Sequence, residues 1–522
     1  MTIWFVILVS LVLVFLIKAF LSRLQSFTKT KITNPLPPGP PFIPIITPIK
    51  WLTKSFLELE SILKTVHAKY GPMVALRIGS RSAIFIADRT LAHQALIQNG
   101  SLFADRPASV PINKIISCNE HNISFANYGP IWRVLRRNLA VEMLHPARVK
   151  SFTPTRKLVL DVLLNRLHLD SKSNDSIIVK DHLQFGIFSL LVFMCFGQRV
   201  DDEKLGDINR VQRGLFLRNS RFNVLNFWPK ITKFLFQKRW EEFLKLHRDH
   251  KEVFLPLIRE RKKAKEAGLL NDSNNPIGYV DTLLDLKLPE DGQRNLNEAE
   301  IVTLCAEFLL AGSVSTSTMM QWIMANLVKY QHVQQRLVQE IGKLMALKGI
   351  DKKDKEVISE QDLEKLPYIK AVVLEALRRH PPGHFVLTHA VSEDVVLNGY
   401  LVPKKGTVNF MVAEMAWDSQ VWEDPMAFKP ERFLNEDCSE LLAFDITGTT
   451  EIKMMPFGAG RRICPGYNLA LLHLEYFVAN LVWNFDWKIP KGRDVDFSEK
   501  QEFTITMKNP LWAHISPRIH HF

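Results

Sequence analysis

Residues Pro456 to Gly466 read PFGAGRRICPG and run at once into an apolar stretch, and this segment decides how the rest of the chain is interpreted. Glycines ahead of the cysteine permit a tight loop whose N–H groups turn toward one sulfur. Pro465 suits the first turn of a helix, where its missing N–H costs little. Cys464 is therefore expected at a helix N-terminus, where the dipole and free amides favour thiolate over thiol. Arg462 adds a cation able to hold an acidic group of a cofactor. A thiolate with bare glycine backbone on both sides suits an axial ligand to a flat macrocycle. A lone Cys-Pro-Gly would instead read as a buried structural cysteine.

The full pattern F-x-x-G-x-R-x-C-x-G, Phe457 to Gly466, resembles the haem-binding loop of the cytochrome P450 superfamily. The resemblance extends over residues 36–518 and is closest to plant microsomal members. It implies a mainly α fold with a small β subdomain. It also implies haem b (iron protoporphyrin IX), with Cys464 as the metal ligand and Phe457, Gly458, Arg462 and Gly466 around the cofactor. The reaction implied is insertion of one oxygen atom of O₂ into a hydrophobic small molecule. Electrons would come from NADPH through a flavoprotein, NADPH-cytochrome P450 reductase.

Composition agrees with a large core plus a membrane segment. The 522 residues are 47% hydrophobic, and 67 Lys and Arg against 54 Asp and Glu leave a net charge of +13. Spread over this length, that charge is no nucleic-acid signature and suits anionic lipid or an acidic protein partner. Length alone would suggest about three domains, but the motifs span both sides of the clearest internal loop, 264–296, which is read as a surface connection within one domain. The five cysteines (Cys118, Cys195, Cys305, Cys438, Cys464) are scattered without a C-x-x-C pair, which argues against a disulfide framework or zinc knuckle.

The N-terminus sets the expected location. Residues 3–17 are almost unbroken apolar, and continuing to Leu24 gives enough length to span a bilayer. Positive charge lies only on the far side, at Lys18, Arg23, Lys29 and Lys31, which puts the body in the cytoplasm. No basic n-region or A-x-A site marks a cleaved signal. The expected organisation is a transmembrane anchor over 1–24, a basic and proline-rich hinge over 25–49 and a catalytic domain over 50–522, on the endoplasmic reticulum membrane with a single pass. Alternating stretches within 72–88 around Gly79-Ser80 predict a hairpin, and 237–266 and 295–348 carry helical period.

Further motifs acquire roles from the resemblance. Trp132 and Arg136 share one helix face and would hold a haem propionate, leaving Arg133, Arg137 and Arg461 for a redox partner. Glu375, Arg378 and Arg432 would interlock as a buried charge triad with a structural role. Of three histidines near the Pro381-Pro382-Gly383 break, His389 would contact a propionate, while Gly383–Leu387 would run along the substrate pocket. Phe125, Phe222, Phe227, Trp228 and Phe385 make that pocket apolar; the aromatic and basic segment 225–240 reads equally as an element dipping into lipid.

The distal helix, 306–330, departs from the family pattern. Ala311 and Gly312 match, and as small residues they would let the helix approach the cofactor. Val314 stands where the family has an acid, and Ser315 where it has threonine, with Thr316 next; Ser315 and Thr316 are the candidate oxygen-site hydroxyls. Serine and threonine hydroxyls here can bond i−4 carbonyls and loosen the helix. The missing carboxylate keeps two other readings open: a haem-thiolate isomerase or dehydratase working without O₂, and a non-catalytic haem-binding membrane protein.

Overall fold

The computed structural model describes residues 34–41, 56–78, 81–216, 219–226, 229–270, 276–290, 292–349, 357–437 and 439–518, together with Ser10, Val14 and Lys18. The apolar run 3–24 thus lies almost wholly outside the described residues, as do 42–49 of the proline-rich stretch, Phe227 and Trp228.

Helix α1 (Phe56–Tyr70) leads into strands β1 (Met73–Ile78) and β2 (Arg81–Ile86). These pair antiparallel with Ile78 opposite Arg81, the hairpin expected from the alternation. Then follow α2 (Pro130–Asn138), α3 (Val179–Phe196), α4 (Gln237–Glu266), α5 (Tyr279–Leu284), α6 (Glu298–Lys329) and α7 (Pro367–Arg379). Strands β3 (His389–Ala390) and β4 (Thr407–Phe410) complete a sheet of order β1-β2-β4-β3, with β2 and β4 parallel. Helix α8 (Tyr467–Asn484) begins just after the cysteine loop. The fold is mainly helical with small sheets, as expected.

The core is organised around α6. Asn297 caps it: its side chain accepts from the Glu300 N–H at 3.0 Å, and the Glu300 carboxylate accepts from the Asn297 N–H at 2.8 Å. Such a reciprocal box satisfies two donors that a helix start leaves open. Trp322 is fully buried, and its indole N–H donates to the Ile505 carbonyl at 3.0 Å; an unpaired buried donor would cost about 1–3 kcal/mol. Gly312 serves the packing of α6 on α3. A Cβ there would lie 2.2 Å from Leu191 Cδ1, so a larger residue would have to displace that buried side chain of a neighbouring helix.

Three expectations need revision. The hydroxyl run does not open α6, which is continuous from Glu298 to Lys329. Ser313, Ser315 and Ser317 donate to the carbonyls of Leu309, Ala311 and Ser313 at 2.6, 2.6 and 2.8 Å. A carbonyl has two lone pairs and takes these bonds alongside the backbone one. The stretch 264–296 is not simply a surface loop, because it contains the buried α5, whose Asp281 pairs with the buried Arg261 of α4. Residues 34–41 are not a free spacer either: the Pro38 carbonyl accepts from Ala75 N–H at 2.9 Å and the Pro35 carbonyl from Leu401 N–H at 2.8 Å.

Candidate active site

A cavity of about 360 Å³ lies between α6 and the 456–466 loop, and Cys464 is in its wall. The loop is built by backbone geometry. Gly460 has φ +69°, and a Cβ there would lie 1.9 Å from the Leu96 carbonyl oxygen, so only glycine fits. The Cys464 N–H donates to the Phe457 carbonyl at 2.8 Å. Helix α8 is capped by Gly466 and starts at Tyr467, so Cys464 stands two residues ahead of the cap and Pro465 in the turn before the helix. That corrects the expectation of a cysteine at the helix terminus. Its electrostatics differ accordingly. Burial pushes the Cys464 thiol up, and the Gly466 N–H and the Arg136 charge pull it back only in part. A cation bound at the sulfur would supply the remaining charge, since a coordinating thiol is deprotonated outright.

Beside the cysteine stands a group of arginines bonded to carbonyls. Arg462 donates to the carbonyls of Ala104, Ile123 and Ala126 at 2.7, 3.1 and 2.6 Å. Arg136 donates to the Ile463 carbonyl at 2.6 Å. Arg106, a residue that no sequence motif singled out, donates to the carbonyls of Ser124, Leu387 and Thr388 at 2.9, 2.6 and 2.9 Å. All three line the cavity. Among the described residues none has a carboxylate within salt-bridge distance. Burial lowers Arg106 to about 10, and burial with the Arg106 charge lowers Arg462 to about 9. Trp132, expected on the face of Arg136, is buried under the Arg462 guanidinium at 4.6 Å, and its indole nitrogen has no hydrogen-bond partner. Arg133 and Arg137 point outward and are exposed, as the helix period requires. His389 lines the cavity with Nδ1 2.6 Å from the Phe103 carbonyl, and burial lowers its pKa to about 3. It is therefore neutral at physiological pH.

These residues fit a planar, dianionic macrocycle. An orphaned indole N–H and three guanidiniums that have, among the described residues, no carboxylate within salt-bridge distance call for carboxylates. Cβ atoms added at Gly466 would meet open space, and at Gly458 only the Val386 side chain at 3.6 Å, which leaves room beside the sulfur.

The opposite wall is one face of α6, carrying Leu304, Glu307, Phe308, Ala311, Gly312, Ser315, Thr316 and Met319 at intervals of three and four. Val314 is half-buried and outside that lining face. The wall nevertheless contains a carboxylate, Glu307, held by the N–H groups of Ile123 and Ser124 at 2.9 and 2.7 Å. Its place was legible, since it lies four residues before Ala311 on the same helix face. Arg106 was not legible, because its acceptors come from segments far apart in sequence.

Of the aromatics expected at the pocket, Phe385 lines it. Phe222 instead packs on Phe243, with ring centroids 5.4 Å apart, and Phe125 is not in the lining. The histidines near the proline break diverge. His380 stacks on Trp322, whereas His384 pairs with Glu60 at 2.5 Å, and among the described residues no metal-binding cluster forms.

The fold encloses one cavity that has Cys464 in its wall and arginines beside it. The family model for cytochrome P450 matches residues 37–514. Cytochrome P450 89A9 of Arabidopsis thaliana is 47% identical over 494 residues, covering 93% of this chain and 94% of that one. The 5-epiaristolochene 1,3-dihydroxylase of Nicotiana tabacum is 31% identical over 516 residues, covering 97% and 98%. A zebra fish cytochrome P450 solved with progesterone superposes with a TM-score of 0.72 at 22% identity, over 88% of this chain and 99% of that chain, a likeness of fold. The chain belongs to the cytochrome P450 family. It is a haem-dependent oxidoreductase of the monooxygenase class, with plant proteins as its relatives.

Proposed function

We propose that the chain is a membrane-anchored monooxygenase that hydroxylates or otherwise oxygenates a hydrophobic small molecule with electrons from NADPH-cytochrome P450 reductase. The observation that carries this reading is one cavity joining Cys464, carboxylate-seeking groups and the small, hydroxyl-bearing face of α6. Haem bound there supplies the activation of dioxygen, which thiolate ligation favours. Cys464 Sγ ligates the iron. Trp132, Arg136, Arg462 and His389, joined by Arg106, hold the propionates. Phe457, Gly458 and Gly466 shape the cysteine side, and Ala311 and Gly312 the opposite side. Ile123, Phe308, Phe385 and Phe503 exclude water and select an apolar substrate.

Proton handling falls to hydroxyls. Ser315 Oγ gives its proton to the Ala311 carbonyl, so its lone pairs are what the cavity meets until it rotates. Thr316, buried beside it, is the second hydroxyl in the wall. With Val314 in the family's acid position, we expect slow, poorly coupled turnover in which reduced oxygen escapes as peroxide. In a system reconstituted with reductase, Ser315→Ala lowers product formed per NADPH by roughly tenfold, less than the 10²–10⁴-fold of a well-placed general acid because a hydroxyl only relays the proton, and keeps the thiolate CO spectrum. Coupling unchanged in Ser315→Ala removes this role. Hydroperoxide turnover without reductase would return the isomerase or dehydratase reading, which the relatives named as hydroxylases do not favour.

The proposed organisation is an anchor over 1–24 in the endoplasmic reticulum membrane, a basic and proline-rich hinge over 25–49 whose residues 34–41 dock on the body through the Pro35 and Pro38 carbonyls, and a cytoplasmic catalytic domain over 50–522. The two described helices apolar enough to cross a membrane, Val179–Phe196 and Glu298–Lys329, are largely buried in the core. Exposed Ile231, Phe234 and Leu235, beside exposed Lys233, support contact of this segment with the lipid surface. Exposed Arg133, Arg137 and Arg461 suit an acidic reductase surface. Reduction by the reductase therefore slows as salt rises, because exposed charges are screened over about 8–10 Å near physiological ionic strength. A rate independent of salt in stopped-flow reduction would remove these arginines from docking.

A further inference from the structure

The loop Ser117–Ala126 passes over the cavity in an unusual conformation. Three consecutive non-glycine residues, Cys118, Asn119 and Glu120, have φ of 49, 59 and 69°, a region that L residues avoid on steric grounds. Such a loop persists only if its surroundings hold it. Two carboxylates of α6, seven residues apart and so on one face, do so. Glu300 Oε1 lies 2.7 Å from His121 Nδ1. Glu307 accepts from the Ile123 N–H through one oxygen and from the Ser124 N–H through the other.

The second contact reaches the arginines. The Ser124 N–H and the Ile123 carbonyl belong to one peptide group. Its N–H end donates to Glu307 and its carbonyl end accepts from Arg462 at 3.1 Å. One peptide further on, the Ser124 carbonyl accepts from Arg106 at 2.9 Å. A peptide dipole held between a carboxylate and a guanidinium is polarised from both ends, and each bond strengthens the other.

We propose that Glu307 is a positioning residue: through the 123–124 peptide it fixes Arg462, and through the next one Arg106, at the cavity wall where they receive the haem carboxylates. This rests on the reading that these arginines hold the propionates. Glu300 holds the same loop but acts through His121, whose bond leads to neither arginine. The two carboxylates therefore differ in what their loss does: Glu307 governs retention of the cofactor, Glu300 only the loop.

Haem transfer from the full-length ferric protein to apomyoglobin tests this, using protein whose ferrous CO complex first shows the thiolate band. Wild type lacking that band would defeat the parent reading and not this one alone. Glu307→Gln keeps the size but turns an amide N–H toward a backbone donor, so transfer quickens roughly tenfold, the loss of about one charge-assisted bond. Glu307→Asp, which keeps the charge on a shorter arm, gives about threefold, and Glu300→Gln leaves the rate unchanged. In an Arg106→Lys background the Gln substitution adds less than about threefold, because the two act along one path. A merely structural glutamate would give equal effects in both backgrounds, and that result overturns the proposal. So does a wild-type transfer rate in Glu307→Gln. Should that variant not accumulate folded, a wild-type rate in Glu307→Asp decides against it.

Discussion

Replacing Cys464 by histidine removes the red-shifted Soret band of the ferrous CO complex and sharply lowers oxygenation, even where the variant folds and takes up haem. The argument starts from geometry. Cys464 lies in the wall of the cavity, presented by a loop that Gly460 can form and no larger residue could. The surroundings make this sulfur a poor thiolate by itself, since burial outweighs the Gly466 N–H and the Arg136 charge. A sulfur whose charged form burial disfavours, set among groups asking for a dianionic ring, is suited to a cation that arrives with that ring. Histidine at this position offers a neutral nitrogen in place of an anionic sulfur. It withdraws the electron density that favours O–O cleavage. We expect product formation to fall on the order of 10³-fold, equivalent to about 4 kcal/mol of barrier. Carbon monoxide difference spectra and product assays with reductase are the measurements. A Cys464→His variant that kept the thiolate band would show the ligand to be another residue.

The cysteine loop was legible because local chemistry determines it. Glycines at 458 and 460 adopt φ of 70 and 69°, a constraint written in consecutive residues. The hairpin at 73–86 and the long helices were legible for the same reason, since period and turn residues are local signals. Helix α5 was not, because six residues amid a polar stretch are too few to show a period. It is formed by burial: Tyr279 is 1% exposed, and Asp281 meets Arg261 across twenty residues of sequence. The α6 serines bond i−4 carbonyls as expected, but a serine that bonds the turn below it need not loosen the helix, which stays continuous. Arg106 shows the limit of sequence. Its three acceptors lie at 124, 387 and 388, and nothing near position 106 announces them. The apolar pocket was overestimated at Phe222, where helical packing on Phe243 claimed the ring.

The second large effect lies away from the cavity. Glu375→Ala reduces recoverable haem protein to a small fraction of wild type and lowers the urea midpoint of what remains. Glu375 is fully buried and accepts four bonds. Arg378 donates through Nε and Nη2 at 2.7 and 2.8 Å, the Lys429 N–H at 2.8 Å and Arg432 Nε at 3.3 Å. Arg378 is equally buried and also donates to the carbonyls of Ala416, Pro425 and Ala427. Those carbonyls satisfy its N–H groups but not its charge. Removing the carboxylate therefore strands a cation in the core, which costs about 3–5 kcal/mol. Whole domains are stable by only about 5–15 kcal/mol, so the loss brings the fold close to its threshold. Arg378→Ala costs less than Glu375→Ala, because the anion it leaves keeps Arg432 Nε at 3.3 Å and the Lys429 N–H at 2.8 Å. Arg432→Ala is milder, at about 1–3 kcal/mol, because its contact is longer and its side chain remains 10% exposed. The ordering separates a charge network from simple packing. If filling volume were all that mattered, Glu375→Gln would behave as wild type. With charge decisive, Gln keeps the shape and still loses most of the stability, and a wild-type urea midpoint for Glu375→Gln would show that the triad is not held together by its charges.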